Sequence, residues 1–219
     1  MTSPILHRPT LYQAGKATLK SNFLAWIYRQ RFIKRWNRMD NSVQTDVDLH
    51  SHCLNVSVVA HLLAEIDNRR FGRSHNAERI ALLGIYHECA EGVSGDLPSP
   101  IKYASPTITR EIKQMEDEIE RTCARSLPMF LQPVFDNYII QKNVDADAKR
   151  IIKAADDIVA WFKCKEEVEK SGNIDFTDAL INLEEKVNEH SSNLPCVQWF
   201  LDNFESGYTK TIDKLMQPG

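Results

Sequence analysis

Residues 76–91 read NAERIALLGIYHECAE and carry the most informative pattern in the chain. Leu83 and His87 are spaced for one face of an α-helix, and Asn76 is a favourable residue to begin that helix. Glu91 lies four residues after His87, so the two side chains share this apolar face. A histidine and a carboxylate directed at a protein core are costly unless a partner satisfies them. The segment therefore predicts a buried helix that ends in a polar pair.

Two interpretations of the His87–Glu91 pair are open from this segment alone. In the first, a metal ion, or a water held by one, satisfies both side chains. In the second, Glu91 caps the end of the helix and His87 bonds a backbone carbonyl group. The pair is not a zincin motif, because position 91 holds glutamate where H-E-x-x-H requires histidine.

The rest of the chain is rich in helical spacing, and no run alternates for long enough to predict a strand. Stretches 52–70 and 147–170 place apolar residues three and four apart, and 23–36 and 107–125 are further helix candidates. Stretch 92–106 holds three prolines and two glycines, which predicts a loop.

These patterns predict an all-α fold, a single helical bundle of about seven to nine helices. The chain of 219 residues is short enough for one domain, and no linker divides it. We therefore expect an N-terminal arm at residues 1–20, which are polar and mixed, and one domain at residues 21–219.

Composition places the chain among ordinary globular proteins. Lys and Arg number 27 and Asp and Glu 30, so the formal charge is −3, which gives no basic footprint for nucleic acid. No stretch approaches the roughly 18 apolar residues of a membrane span, and residues 1–20 lack the apolar centre of a secretory signal. The five cysteines form no C-x-x-C pair, which indicates free thiols in a reducing compartment. A cytoplasmic protein without nucleic-acid or membrane partners is therefore expected.

Two further polar residues belong to apolar helical stretches elsewhere in the chain. His52 begins one such stretch, and His50, two residues earlier, is most simply a solvent-exposed residue. Asp156 falls on the inward face of another, whereas Asp157 is expected at the surface, paired with Lys153 four residues earlier. An inward carboxylate is rare without a partner, which here is either a buried arginine or a metal ion. Two histidines and carboxylates on separate helices begin to resemble a metal cluster.

The order His, His-acid, Asp on separate helices of an all-α chain resembles the HD-domain metallophosphohydrolases. The resemblance is closest to one branch of them, the bacterial YfbR-type 5′-deoxynucleotidases. It rests on HSHCLNV at 50–56, NAERIALL at 76–83 and GDLPSPIKY at 95–103, on Arg35-Trp36, and on the segment around Asp156. It runs from about residue 22 to about residue 210, so only the N-terminal arm lies outside it.

The resemblance implies a metal-dependent enzyme that removes the 5′-phosphate from deoxyribonucleoside 5′-monophosphates. It implies one divalent ion, with Co²⁺, Mn²⁺ or Zn²⁺ as the candidates, and a homodimer. The side-chain roles that it implies are these: metal ligands His52, His87, Glu88 and Asp156, catalytic carboxylate Glu91, phosphate contact Arg35, and sugar contacts Trp36 and Asp96, with Pro98 and Pro100 shaping the loop.

One position departs from the family pattern, because this chain has His87-Glu88 where the family has His-Asp. The longer glutamate side chain places its oxygen about 1 Å or more from the aspartate position, and catalytic geometry tolerates little displacement. Three outcomes are open: an adjusted and active site, a weak metal site with slow turnover, or a nucleotide-binding relative that has lost activity. A separate alternative is a deoxynucleoside triphosphate triphosphohydrolase, with Lys34, Arg38 and Lys102 as candidates for binding the additional phosphates.

Overall fold

The computed structural model describes residues 20–217, so the predicted arm lies outside the described residues except for Lys20. The α-helices are α1 (Phe23–Arg29), α2 (Leu49–Phe71), α3 (Ala77–Tyr86), α4 (Glu91–Ser94), α5 (Ser99–Lys102), α6 (Pro106–Arg125), α7 (Gln132–Ile139), α8 (Ala146–Ser171), α9 (Thr177–Asn193), α10 (Pro195–Phe204) and α11 (Ile212–Leu215). Eight of them have seven residues or more. Between residues 20 and 217 the strand-like pairing is limited to one isolated bridge, Lys34 with Asp48. The all-α prediction is therefore confirmed.

The two longest helices, α2 and α8, form the centre of the bundle. α2 packs against α3, α8 and α10, and α8 also packs against α9. The apolar faces that meet there include Val56, Ala60 and Leu63 of α2, Leu83 of α3, and Ile151, Ala155 and Ile158 of α8. Because these faces are buried together, the polar residues beside them on the three helices are brought to one place.

Local sequence signals explain where the central helices begin and end. The Asp48 carboxylate accepts a hydrogen bond from the Ser51 amide at 2.9 Å and caps α2. Asn76 caps α3 in the same way, through the Arg79 amide at 2.8 Å, as its sequence position predicts. Gly72 and Gly172 end α2 and α8 in the left-handed conformation that glycine adopts without strain.

A glycine allows α2 and α3 to approach closely. A Cβ atom placed on Gly84 would lie 2.7 Å from the Cα atom of Ser57, which is closer than real side chains come. The Ser57 hydroxyl donates to the Ala81 carbonyl at 2.7 Å across the same contact. This close packing helps to set the separation of His52, five residues before Ser57, and His87, three residues after Gly84.

Two helix boundaries differ from the sequence prediction. The predicted helix at 23–36 ends at Arg29, a 3₁₀ turn follows, and Trp36 has a φ of +56°, which no α-helix accommodates. The helix at 76–91 ends at Tyr86, and Glu91 begins the short helix α4 instead of capping α3. His87 and Glu91 are therefore related by a tight turn and not by one continuous helical face.

The predicted loop at 92–106 is also more ordered than its prolines suggest. It contains most of α4 and all of α5, each of four residues, and Pro106 is the first residue of α6. All five cysteines are free and buried, as the absence of paired spacing predicts. Among the described residues, no helix combines the length and the apolar character that crossing a membrane requires.

Candidate metal centre

His52 lies in the first turn of α2 with its side chain fully buried. Its Nδ1 atom is 2.9 Å from Oδ1 of Asp46, a carboxylate that is itself buried. A carboxylate at this distance accepts the proton of Nδ1, which leaves the lone pair of Nε2 available. Metal-binding histidines are commonly oriented in this way by a carboxylate behind the ring.

His87 directly follows α3 and reaches the same place from the neighbouring helix. Its Nδ1 donates to the carbonyl oxygen of Gly84 at 2.7 Å, so it satisfies a carbonyl that the helix end leaves free. The lone pair therefore again lies on Nε2. The interpretation in which His87 bonds a backbone carbonyl is confirmed, but it does not exclude metal binding, because the two interactions use different ring nitrogens.

Asp156 of α8 completes the group. Its Oδ1 lies 3.2 Å from Nε2 of His52, and its Oδ2 accepts from the Lys153 ammonium at 2.8 Å. The ring centroids of His52 and His87 are 5.3 Å apart. One ligand atom from each of the three residues lies within 4.8 Å of the other two, which is a spacing that one cation can bridge.

The orphaned nitrogens test whether a metal fits this group. Nε2 of His52 and Nε2 of His87 are both buried, and neither makes a hydrogen bond with any residue of the described chain. Buried polar atoms are rarely left without a partner unless a ligand or an ion supplies one. Two imidazole nitrogens and a carboxylate oxygen are suitable donors for Zn²⁺, Mn²⁺ or Co²⁺. The residues present therefore fit a divalent cation.

The pKa shifts of His87 and Asp156 agree with this chemistry, whereas that of His52 has the opposite sense. Burial lowers the pKa of His87 below its usual value although Glu88 opposes the change, so the ring stays neutral as a ligand must. Burial by itself raises the pKa of the Asp156 carboxyl, but Lys153 and the histidines outweigh it and hold that pKa well below its usual range. Burial and Arg35 lower the pKa of His52, but the two neighbouring aspartates raise it further. The ring therefore favours the protonated form, and a cation would displace the Nε2 proton on binding.

Glu88 lies at the edge of the group. Its Oε1 is 3.7 Å from Nε2 of His87, and its side chain is 21% exposed. The three residues whose ligand atoms all converge do not include it. Its assignment as a fourth ligand stays a prediction. His50, the other histidine near His52, is exposed in the first turn of α2.

Glu91 is a buried carboxylate within electrostatic reach of Glu88 and Arg35. Its Oε2 is buried and has no hydrogen-bond partner among the described residues, and its Oε1 is 3.8 Å from Nζ of Lys102. Burial, followed by the charges of Glu88 and Asp96, raises the pKa of Glu91 well above its usual range, although Lys102 and Arg35 oppose the rise. A carboxyl with a raised pKa is a more effective proton acceptor near neutral pH.

Arg35 reaches this place from a segment without regular helix. Its Nε donates to Oδ2 of Asp46 at 3.2 Å, so one aspartate holds both Arg35 and His52. Burial lowers the pKa of Arg35, but the charges of Asp46, Asp156, Asp96 and Glu91 raise it more. Arg35 is therefore within electrostatic reach of all four carboxylates.

Asp46 is the functional candidate that the sequence did not reveal. It lies on a polar segment with no helical period, and its φ of +50° shows that tertiary contacts hold it in a strained backbone conformation. The only signal was an acidic residue six positions before His52, which is too common to be informative.

The remaining predicted site residues lie nearby. Trp36 follows Arg35, is partly buried, and packs on Phe176 with ring centroids 5.4 Å apart. Asp96 and Pro98 are half-buried between α4 and α5, whereas Pro100 is exposed. The charge of Asp96 acts on both Glu91 and Arg35, which places it beside them.

Asp157 corrects one detail of the sequence prediction. Its pairing with Lys153 is confirmed at 2.8 Å, but the side chain is buried instead of exposed. The reason is that His190 of α9 covers it, with Nε2 2.9 Å from Oδ2 of Asp157. A helical wheel for α8 alone cannot show this cover.

Solved structures share this fold at low sequence identity. An HD-domain phosphohydrolase from Listeria innocua superposes with a TM-score of 0.73 at 16% identity, covering 84% of this chain and 87% of that protein. A cyanophage S-2L HD phosphohydrolase, bound to dA and one catalytic Zn²⁺ ion, superposes with a TM-score of 0.62 at 16% identity, covering 85% and 96%. The bundle is therefore that of the HD-domain phosphohydrolases.

The sequence relatives identify the family more specifically than the solved structures do. A 5′-deoxynucleotidase of Vibrio cholerae is 38% identical over 197 residues, which is 90% of this chain and 98% of the relative. One of Photorhabdus laumondii is 38% identical over 196 residues, which is 89% of this chain and 96% of the relative. The family model described as 5′-deoxynucleotidase YfbR-like matches residues 22–208. The family model and these relatives agree with the site geometry, and the chain therefore belongs to the YfbR-like 5′-deoxynucleotidase family of HD-domain phosphohydrolases.

Proposed function

We propose that the chain hydrolyses deoxyribonucleoside 5′-monophosphates to deoxynucleoside and inorganic phosphate. The observation that carries this proposal is the convergence of His52, His87 and Asp156 beside Arg35 and Glu91 in a member of this family. A cation site, a guanidinium and a buried carboxylate together suit metal-assisted hydrolysis of a phosphate monoester.

One divalent ion would be held by His52, His87 and Asp156, with Glu88 at hand as a further ligand. Co²⁺, Mn²⁺ and Zn²⁺ are the candidates because of the mixed imidazole and carboxylate donors. Such an ion supplies Lewis acidity, which lowers the pKa of a bound water and polarises a phosphate oxygen. Asp46 and the Gly84 carbonyl keep the two imidazoles in the tautomer that presents Nε2.

Glu91 would take the proton of the attacking water at Oε2. That oxygen is buried and unpartnered within the described part of the chain, so nothing there competes for the proton. The Lys102 ammonium, which also pairs with Glu116 at 2.7 Å, stands behind the other carboxylate oxygen. The contact between Lys102 and Oε1 of Glu91 would orient this carboxylate so that its Oε2 remains free.

Arg35 would bind the phosphate through its two terminal nitrogens. The Nε atom is taken by Asp46, and no terminal nitrogen of Arg35 makes a hydrogen bond to another described residue. A guanidinium held in this way presents a planar fork that matches two phosphate oxygens. Its charge offsets the charge that develops on the phosphate in the transition state.

Trp36 and Asp96 would select the sugar. The indole ring next to Arg35 would leave little space for a 2′-hydroxyl, and the Asp96 carboxylate, which acts electrostatically on Arg35, would accept from the 3′-hydroxyl. Lys102 is already paired with Glu116, and Lys34 and Arg38 are exposed, which argues against a built site for a triphosphate. The homodimer and the cytoplasmic location stay predictions, and light scattering of the purified chain would check the dimer.

The proposal is tested by a phosphate-release screen with Mn²⁺, Co²⁺ and Zn²⁺ in turn. Deoxynucleoside monophosphates are expected to be cleaved at least about tenfold faster than ribonucleotides, since contacts of this kind discriminate by about 1–3 kcal/mol. Trp36→Ala should reduce the deoxy-to-ribo ratio toward one, and Trp36→Phe, which retains a ring, should preserve most of it. Faster release of triphosphate from dATP than of phosphate from dAMP would contradict the proposal.

Glu88→Asp is expected to change kcat/KM for dAMP by less than about tenfold, which is the low end of effects seen near metal ligands. The reason is that the Glu88 carboxylate lies at the edge of the group and is partly exposed. The measurement is phosphate release together with a divalent-ion titration, and Glu78→Asp on the exposed side of α3 is the matched control. If the wild-type chain is inactive and Glu88→Asp gains activity, the alternative of a relative weakened at this position would instead be favoured.

A further inference from the structure

The segment between α1 and α2 supplies Arg35, Trp36 and Asp46 but has almost no regular structure of its own. Residues 33–48 contain two positive-φ positions, Trp36 and Asp46, and a single bridge between Lys34 and Asp48. An irregular segment that must hold side chains in place needs hydrogen-bond partners elsewhere in the fold.

Two buried charged residues of α8 provide those partners. The Glu167 carboxylate accepts from the Ser42 amide at 3.0 Å and from the Val43 amide at 3.1 Å. The Lys163 ammonium donates to the Val43 carbonyl at 2.8 Å and to Glu167 at 2.7 Å. Both side chains are 0% exposed. A fully buried ion pair that also satisfies three backbone groups is a specific anchor for this segment.

The anchor and a predicted metal ligand share one face of the same helix. Lys163 and Glu167 follow Asp156 by seven and eleven residues, which is about two and three helical turns. The ammonium of Lys163 also lies 5.6 Å from the ring centre of Phe176, the residue on which Trp36 packs. One rigid helix thus sets the position of Asp156 and the position of the segment that carries Arg35.

We infer that Lys163 and Glu167 are positioning residues, which hold the segment 33–48 so that Arg35 and Trp36 face the metal site. The inference rests on the proposed function, because it assigns Arg35 to the phosphate and Trp36 to the sugar. In the described chain neither anchor residue makes a hydrogen bond or an ion pair with the converging metal ligands, so we expect its effect to pass through the segment.

The double variant Lys163→Met/Glu167→Met tests this role. Apolar replacement of a whole buried pair is often neutral for stability, whereas removal of one partner leaves an uncompensated charge. We expect kcat/KM for dAMP to fall roughly 10–100-fold, as displacements of about 1 Å do at active sites. The ratio of kcat/KM for deoxyribonucleotides to kcat/KM for ribonucleotides should also fall, because the displaced segment carries Trp36. Mn²⁺ affinity, measured by calorimetry, should stay within about twofold since its ligands are untouched.

Hydrogen exchange supplies a readout that does not depend on turnover. Amides in residues 40–48 should exchange faster in the double variant, while those of α2 and α3 keep their protection. The matched control is Lys165→Met/Glu169→Met, a pair at the same spacing on α8 whose ion pairs, including one with Glu205, lie outside the segment. Faster exchange with a wild-type kcat/KM and a wild-type sugar ratio would overturn the inference, and so would an equal loss in the control.

Two further outcomes keep the test decisive. If the double variant does not fold, Glu167→Gln replaces it. Faster exchange of amides 40–48 together with an unchanged kcat/KM in that variant would also overturn the inference. If the wild type cleaves no deoxynucleotide, the proposed function fails, and the exchange data still report whether Lys163 and Glu167 hold the segment.

Discussion

Replacing His87 with glutamine is expected to remove the bound divalent ion and about a thousandfold of kcat. Nε2 of His87 is one of the three converging ligand atoms and has no other partner in the described chain. An ion at this site contributes several kcal/mol to the transition state, and each 1.36 kcal/mol corresponds to a tenfold change in rate. The fold should survive, because the glutamine amide can donate to the Gly84 carbonyl that His87 now satisfies.

The measurement is metal content by mass spectrometry after loading and dialysis, beside phosphate release from dAMP. His61→Gln on the exposed side of α2 is the matched control and should retain both metal and activity. A His87→Gln protein that keeps one ion per chain and wild-type turnover would remove the basis for the metal centre described here.

Replacing Glu91 with glutamine is expected to lower kcat about a thousandfold, within the range of roughly 10²–10⁴ typical of a general base. Glutamine has nearly the same shape but cannot accept the proton of the attacking water. Metal content should stay unchanged, because Glu91 is not one of the three converging residues. KM should change little, since the phosphate is assigned to Arg35.

Parallel assays of kcat, KM and bound metal separate the two possible roles of Glu91. Glu118→Gln, at an exposed position of α6, controls for the loss of one negative charge. Loss of the ion in Glu91→Gln would make Glu91 a ligand, and undiminished kcat would show that another group accepts the proton. Together with His87→Gln, the pair of variants distinguishes a missing cation from a missing base.

Local patterns were sufficient to predict the main helices. The starts of α2, α3 and α8 follow apolar spacing and the caps Asp48, Asn76 and Asp145, which act within a few residues of the helix, whereas the predicted end of α3 was wrong. The same spacing directed Asp156 inward. The stretch at 23–36 shows the limit of such patterns, because its aromatic residues suit a helix but the chain leaves helical geometry after Phe32.

The physical reason for that limit lies in α8. Glu167 and Lys163 bind the backbone of Ser42 and Val43, and these contacts join residues 120 to 125 positions apart in the sequence. Hydrogen bonds of this kind override the helical tendency of the preceding residues, and no window on the sequence contains both partners. Asp46 was missed, and Asp157 was placed at the surface, for the same reason.

From the chain alone, apolar spacing and helix caps predicted an all-α bundle, and motif order predicted a resemblance to the family, with His52, His87 and Asp156 as candidate metal ligands. They could do so because helix formation and side-chain facing depend on neighbours a few residues away. The orientation of each imidazole, the support from Asp46 and the anchor at Lys163 and Glu167 depended on how distant helices pack. Packing sums many weak contacts across the whole molecule, so these distances exist only in the folded protein.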